Sequence, residues 1–308
     1  MADTIMVAVD GEPEHRAALD WAAARAAWTP ARLELIHVVE RSFADSGEQS
    51  GRMLTLAGRA LVAEEERYAL RRARAALHLE HAGDGLARVE PEIRSRVVVG
   101  HAGRDLVSAS AGAVLLVVGT PPAARSQRAL AGSIAARVAS AAACTVVAVP
   151  HGWRGHGHGV VVGVDGEPPT DAAVDFAAGE AARLGEPLAV VYAGYAVGAV
   201  RDGRRAVGLA AADDVRERLV EAAADRARRR SPGLLVRTRV VEAAPSAGLV
   251  SEAHGARMLV LGTHDRRGVK RVMLGSVGHD VLLRARLPVV IARVATASVS
   301  PSSDPEPA

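Results

Sequence analysis

Cysteine is almost absent: Cys144 stands alone in 308 residues, so no internal disulfide can form. Its setting in Cys144-Thr145-Val146-Val147-Ala148-Val149 reads as a small buried hydrophobe, and the lack of a partner points to a reducing compartment. Lysine is equally scarce, Lys270 being the single instance, and the formal net charge is only +3. That balance does not call for a polyanion partner. Aromatics make up 3% of the chain, and the arginine clusters Arg71-Arg72-Ala73-Arg74 and Arg226-Ala227-Arg228-Arg229-Arg230 have none interleaved. They read as solvated helix faces, not as a nucleic-acid surface. Long apolar runs are missing too. The stretch around Val114 to Val118 falls far short of the ~20 residues that span a bilayer, and Met1-Ala2-Asp3-Thr4 has no basic region. The expectation is a soluble, cytoplasmic protein without membrane or nucleic-acid partners.

What the chain does have is a repeat. Ile5-Met6-Val7-Ala8-Val9-Asp10-Gly11-Glu12-Pro13 returns as Val160-Val161-Val162-Gly163-Val164-Asp165-Gly166-Glu167-Pro168. Gly119-Thr120 followed by Gly132-Ser133 returns as Gly262-Thr263 followed by Gly275-Ser276, with 132 − 119 = 275 − 262 = 13. A unit this long, with its own set of apolar segments, is a duplicated globular domain and not a solenoid repeat. We expect domains at 1–150 and 159–294, joined by a glycine-rich linker at 151–158 and followed by a disordered Ser/Pro/Asp-rich tail at 295–308. The linker's His151, His156 and His158 lack the carboxylate or cysteine that would complete a metal site, and its glycine-rich backbone reads as floppy.

Each half alternates apolar β-branched runs with alanine-rich stretches. The runs are Ile5–Val9, Leu33–Val39, Ile93–Val99, Val114–Val118 and Thr145–Val149, then Val160–Val164, Leu188–Tyr192, Leu235–Val241, Met258–Leu261 and Pro288–Ile291. Helices are expected between them, at Glu14–Ala27, Leu61–Leu79, Asp171–Leu184, Asp213–Arg229 and Ser276–Arg284. Continuous apolar strands joined by helices imply parallel sheets buried on both faces, an α/β doubly wound architecture in tandem. The halves differ in length: 119 − 10 = 109 against 262 − 165 = 97, and Arg41–Gly58 reads as the site of the extra 12, a longer loop. The last strands, Thr145–Val149 and Pro288–Ile291, are short apolar edges and invite pairing of the two domains with each other.

Ligands of such sheets bind beyond the carboxyl ends of the strands, where the strand order reverses. The loops carrying Asp10 and Gly119, or Asp165 and Gly262, meet there, and Gly132-Ser133 or Gly275-Ser276 then opens a helix with a serine N-cap and free N–H groups suited to an anion. Taken together, strand-Asp-Gly, then Gly-x-x-x, nine residues and Gly-Ser, then a helix and a closing strand, resembles the universal stress protein family over nearly the whole chain. The resemblance implies five-stranded sheets of order 3-2-1-4-5 and, in many members, ATP held by Gly-x-x-Gly, nine residues and Gly-Ser/Thr, with magnesium accompanying it. It implies Val9, Asp10, Gly119, Gly132 and Ser133 as site residues of the first domain, and Val164, Asp165, Gly262, Thr263, Gly275, Ser276 and Val277 of the second. A homodimer and a protein partner are further expectations from the family.

Both copies depart from that motif, because its second glycine is Pro122 in the first domain and Asp265 in the second. Pro121-Pro122 removes two backbone donors, whereas Asp265 adds only a side chain and a charge, so the second copy reads as the better nucleotide site. The turn after the third strand keeps glycine in Val99-Gly100-His101 and loses it in Val241-Glu242-Ala243. No catalytic constellation is evident beyond what slow ATP hydrolysis would need. The expected function is regulatory, with a scaffold that binds no nucleotide as the first alternative. An adenine-nucleotide α-hydrolase-like enzyme is disfavoured, because neither Asp10-Gly11-Glu12-Pro13 nor its second copy is the Ser-Gly-Gly-x-Asp-Ser loop of an ATP-pyrophosphatase.

Overall fold

A computed structural model of the chain describes residues 3–41, 48–77, 90–121, 133–166, 170–195, 205–263 and 274–293. All ten expected strands are present: β1 (Thr4–Ala8), β2 (Arg32–Glu40), β3 (Ile93–Gly100), β4 (Leu115–Thr120), β5 (Thr145–Pro150), β6 (Val160–Gly163), β7 (Leu188–Ala193), β8 (Val236–Val241), β9 (Met258–Gly262) and β10 (Val289–Ala292). They form one sheet of order β3-β2-β1-β4-β5-β10-β9-β6-β7-β8, which is 3-2-1-4-5 run inward from each outer edge to a central seam. Pairing is parallel within each half and antiparallel at the seam, where Val146, Val147 and Ala148 oppose Ile291, Val290 and Val289. Val147 and Val290 are equivalent positions, each 32 residues after a residue that pairs with the first strand of its half (147 − 115 = 290 − 258). The seam is therefore centred on a pseudo-twofold axis, and the last strands pair as expected.

Helices cover both faces. On one lie α1 (Ala17–Ala26), α2 (Glu48–Leu77), α5 (Thr170–Leu184) and α6 (Arg205–Arg230); on the other lie α3 (Ala102–Ala109), α4 (Ile134–Ala141), α7 (Pro245–Glu252) and α8 (Ser276–Arg284). Strand alternation divides the core between them: Ile5 and Val7 face the first layer and Met6 the second. Each layer's core runs without a break through both halves. Alanine makes this possible, since Ala18, Ala22, Ala23 and Ala26 of α1 are all buried and let the helix lie close on the sheet.

Two expectations are corrected. The extra residues of the first half do not lie at 41–58. Leu33 pairs with Ile93 and Leu188 with Val236, so 60 − 48 = 12 places the insertion between the second and third strands. Leu61 of α2 and Leu219 of α6 occupy matching places, each against the glycine of its own Asp-Gly turn. From there to the next strand is 93 − 61 = 32 residues in the first half and 236 − 219 = 17 in the second, 15 more, offset by 3 fewer before Leu61, so the added length lies on the C-terminal side of Leu61. Residues 48–58 are helical instead, because Gly51 and Thr55 do not outweigh the helix formers around them, and the Thr55 hydroxyl donates back to the Gly51 carbonyl.

Nor is the linker loose. His158 N–H donates to Gly255 O, Arg257 donates to Gly155 O, and Gly157, at φ +112, lies against the backbone of Ala256, leaving no room for a side chain. The tail from 295 onward lies outside the described residues.

Candidate functional site

In the first half, β1 has β2 on one side and β4 on the other, so the chain leaving β1 passes to one helix layer and the chain leaving β4 to the opposite one. The gap between those exits is an open cavity of about 540 Å³. Val9, Asp10, Gly119 and Ser133 all line it, with Val38 and Glu40 from the end of β2 and Ala102 and Leu106 from α3. Gly132 lies outside the described residues. Gly11, at φ +84 with Leu61 pressed against it, makes the turn that points Asp10 at the cavity, a conformation and a close approach that suit glycine alone. Ser133 caps α4 by accepting from Ala136 N–H at 3.2 Å.

Asp10 is fully engaged. One carboxylate oxygen accepts from Glu12 N–H at 3.1 Å and the other meets His15 Nδ1 at 2.5 Å. The His15 ring stands edge-on to His151, with centroids 4.3 Å apart, and His151 N–H is anchored on Thr120 O. His37 Nδ1 meets the Val9 carbonyl at 2.8 Å, and Val9 N–H donates to Ile36 O, so both backbone groups of Val9 are already paired. Glu40 accepts from Ala102 N–H at 3.0 Å. Arg16 grips Glu65 through Nε (3.0 and 3.1 Å) and Nη2 (2.6 Å), and the side-chain hydrogen bonds to Glu65 raise its pKa above the ordinary arginine value against the opposing effect of burial. The lining thus holds five carboxylates, Asp10, Glu12, Glu14, Glu40 and Glu65, and one arginine that is already paired. Pro121 presents no N–H here, as its sequence position implied.

The second half repeats the turn. Gly166 has φ +86, a Cβ on it would lie 2.6 Å from Leu219, and Asp165 accepts from the Thr170 hydroxyl at 2.7 Å. Val164 is buried with its N–H on Val191 O, and Gly262 ends β9 before a buried Thr263. Ser276 is not the cap that was expected. It is the first residue of α8 and is exposed, Gly275 holds the N-cap position without a side-chain bond, and Val277 packs partly into the core. The stretch 264–273, with Asp265, lies outside the described residues.

The Universal stress protein family model matches residues 1–150 and again 158–293. The chain belongs to the universal stress protein family. A universal stress protein of Mycolicibacterium smegmatis is 31% identical over 303 residues, covering 94% of this chain and 96% of that protein. One from Mycobacterium tuberculosis strain H37Rv has the same identity and coverage. Among solved structures, a universal stress protein from Archaeoglobus fulgidus superposes with a TM-score of 0.65 at 15% identity, over 94% of this chain and 96% of that one, which shows the shared tandem fold. Among the described residues no helix is long and apolar enough to cross a membrane, and no three His, Cys, Asp or Glu side chains gather as a metal cluster.

Motif reasoning missed five further residues that line this universal stress protein's cavity: His15, Arg16, Glu40, Glu65 and His151. Glu40 was within reach as the last residue of a strand ending at the switch point, and His15 as a polar residue in the first turn after Asp-Gly. His151 had no local signal, since it joins the site only because β5 ends beside β4.

Proposed function

We propose that this universal stress protein is a regulatory stress-response protein that takes an adenine nucleotide in the first-repeat cavity and acts through conformation and partner contacts. The observation that carries the reading is the convergence of Val9, Asp10, Gly119 and Ser133 on one cavity of about 540 Å³, a size typical of small-molecule sites. The adenosine part has apolar walls in Val38, Leu106 and Val118. The phosphates are less well served. The N-terminus of α4 favours an anion, but the proline loop is degenerate and five carboxylates line the space; one like charge at 4 Å costs about 4 kcal/mol at an effective dielectric of 20. Magnesium arriving with ATP would offset part of this. We therefore assign recognition to the nucleoside, with phosphates adding little. In the second repeat, Val164, Asp165, Gly262, Thr263, Gly275, Ser276 and Val277 form the corresponding proposed set, gated by Asp265.

Calorimetry with adenosine, ADP and magnesium-ATP tests the reading. Adenosine is expected to bind within a few-fold of ATP. Gly119→Val is expected to fold, since a Cβ there meets nothing within 4 Å, and to lose first-site binding by filling the cavity. Asp265→Gly is expected to tighten ATP binding at the second site, about tenfold if ~1.4 kcal/mol is relieved. Absence of binding by every adenine compound would leave the scaffold reading in its place. No chemistry beyond slow hydrolysis is proposed.

A further inference from the structure

A second cavity, of about 750 Å³, lies between the two repeats on the layer of α1 and α5, walled on its third side by the linker. All three tryptophans of this aromatic-poor chain line it: Trp21 and Trp28 from α1 and its end, and Trp153 from the linker. In the same wall, Arg25 and Arg183 share one carboxylate. Arg25 Nη2 donates to Glu180 Oε1 at 2.6 Å and Arg183 Nη2 to Oε2 at 2.8 Å, so both oxygens of Glu180 are taken. Glu180 itself does not line the cavity, and its side chain is only 3% exposed. Two guanidiniums therefore face a single buried carboxylate, and Nε and Nη1 of Arg25 are buried without any hydrogen-bond partner.

Surplus positive charge is costly inside a protein unless an anion offsets it, and with Nε and Nη1 of Arg25 out of reach of the cavity, Nη2 and the Arg183 guanidinium are the groups that could meet one. Of the other arginines in the lining, Arg257 is matched by Glu186, Arg72 by Asp20 and Arg16 by Glu65, and Arg154 is exposed. Trp21 and Trp28 are largely buried, and Trp153 is the more exposed of the three; a tryptophan face beside a guanidinium pair selects a flat ring carrying an anionic group, since the ring stacks and the carboxylate or phosphate takes charge-assisted hydrogen bonds. The cavity is also within the size range of small-molecule sites. We propose that the inter-repeat cavity is a binding site for a small planar aromatic anion, held by Arg25 and Arg183 and stacked on tryptophan. This site adjoins the nucleotide cavity, with Glu14 and Arg16 in both linings, but does not depend on that reading.

The tryptophans supply the readout, because their three indole N–H signals in a nitrogen–proton correlation spectrum of the ¹⁵N-labelled full chain all report on this cavity. Titration with 2-naphthoate is expected to shift them saturably. The neutral 2-naphthalenemethanol is expected to bind at least about tenfold more weakly, and Arg25→Gln to weaken 2-naphthoate by a similar factor. Ala24→Phe fills the cavity from α1 without touching the ion triad, so it keeps the test valid if Arg25→Gln does not fold; it should abolish the shifts. Saturating ATP should leave 2-naphthoate binding unchanged. The proposal is overturned by the absence of a saturable shift, by equal binding of the neutral analogue, by inorganic phosphate binding as tightly as 2-naphthoate, or by displacement with ATP.

Discussion

The rings of His15 and His151 meet edge-on beside the carboxylates of the first cavity. Cys144 gives the chain a pH signature. Burial pushes its thiol up to about 11, opposed in part by the charge of Arg293. The folded chain thus keeps a proton that an unfolded chain releases near pH 9, so this stabilisation is complete below pH 9 and is lost as pH rises toward 11. Denaturant midpoints should fall over that interval by less in Cys144→Ala than in the parent. The same burial explains why the flanking apolar run was enough to read Cys144 as a core residue. The Asp-Gly turns were equally legible, because Gly11 and Gly166 meet a local need for positive φ. The pairing of Asp10 with His15 and of His15 with His151 was not, since it depends on where separate strands end.

At the level of elements, one comparison isolates a cap. Ser133 closes α4 with its side chain, whereas Gly275 leaves α8 without such a bond. Ser133→Ala should cost about 0.5–2 kcal/mol and Gly275→Ser should return a few tenths, both measurable as shifts in chemical denaturation. The pairing of α1 with α5 depends on more. Burial alone would raise the Glu180 carboxyl, but the charges and hydrogen bonds of Arg183 and Arg25 outweigh it and hold it below the usual range. Glu180→Gln leaves both arginines uncompensated and should destabilise the protein by about 3–5 kcal/mol. A loss under 1 kcal/mol would show that water already screens the triad. Strand positions were legible to within one or two residues because β-branched runs bounded by turns have few alternatives. The start of α2 and the place of the 12-residue insertion were not. Small polar residues at 41–58 carry a weak loop signal, and only the strand registers together with the Leu61 and Leu219 contacts reveal where the added length lies.

For the whole molecule, the order 3-2-1-4-5 mirrored about Val147 and Val290 explains why two incomplete-looking edges never face water. The repeats are not interchangeable at this axis. Arg25 and Glu180 fall at the same place in each half, since 25 − 10 = 180 − 165 = 15, yet their charges are opposite and they meet. Two copies of the first repeat would bring arginine against arginine. With the core continuous through both halves, unfolding should be a single transition, seen at the same denaturant concentration by far-ultraviolet dichroism and tryptophan emission. Val290→Asp should lower that midpoint for both probes together, whereas separated transitions would mean that the halves fold as independent units.

The seam between β5 and β10 has a kinetic meaning as well. Two separate chains joined along such an edge would come apart on dilution, at a concentration set by mass action. Here the partners are tethered by residues 151–158 and meet at a high effective concentration. The paired form is therefore insensitive to how much protein the cell makes, and a cavity built across the axis stays assembled even when the protein is scarce.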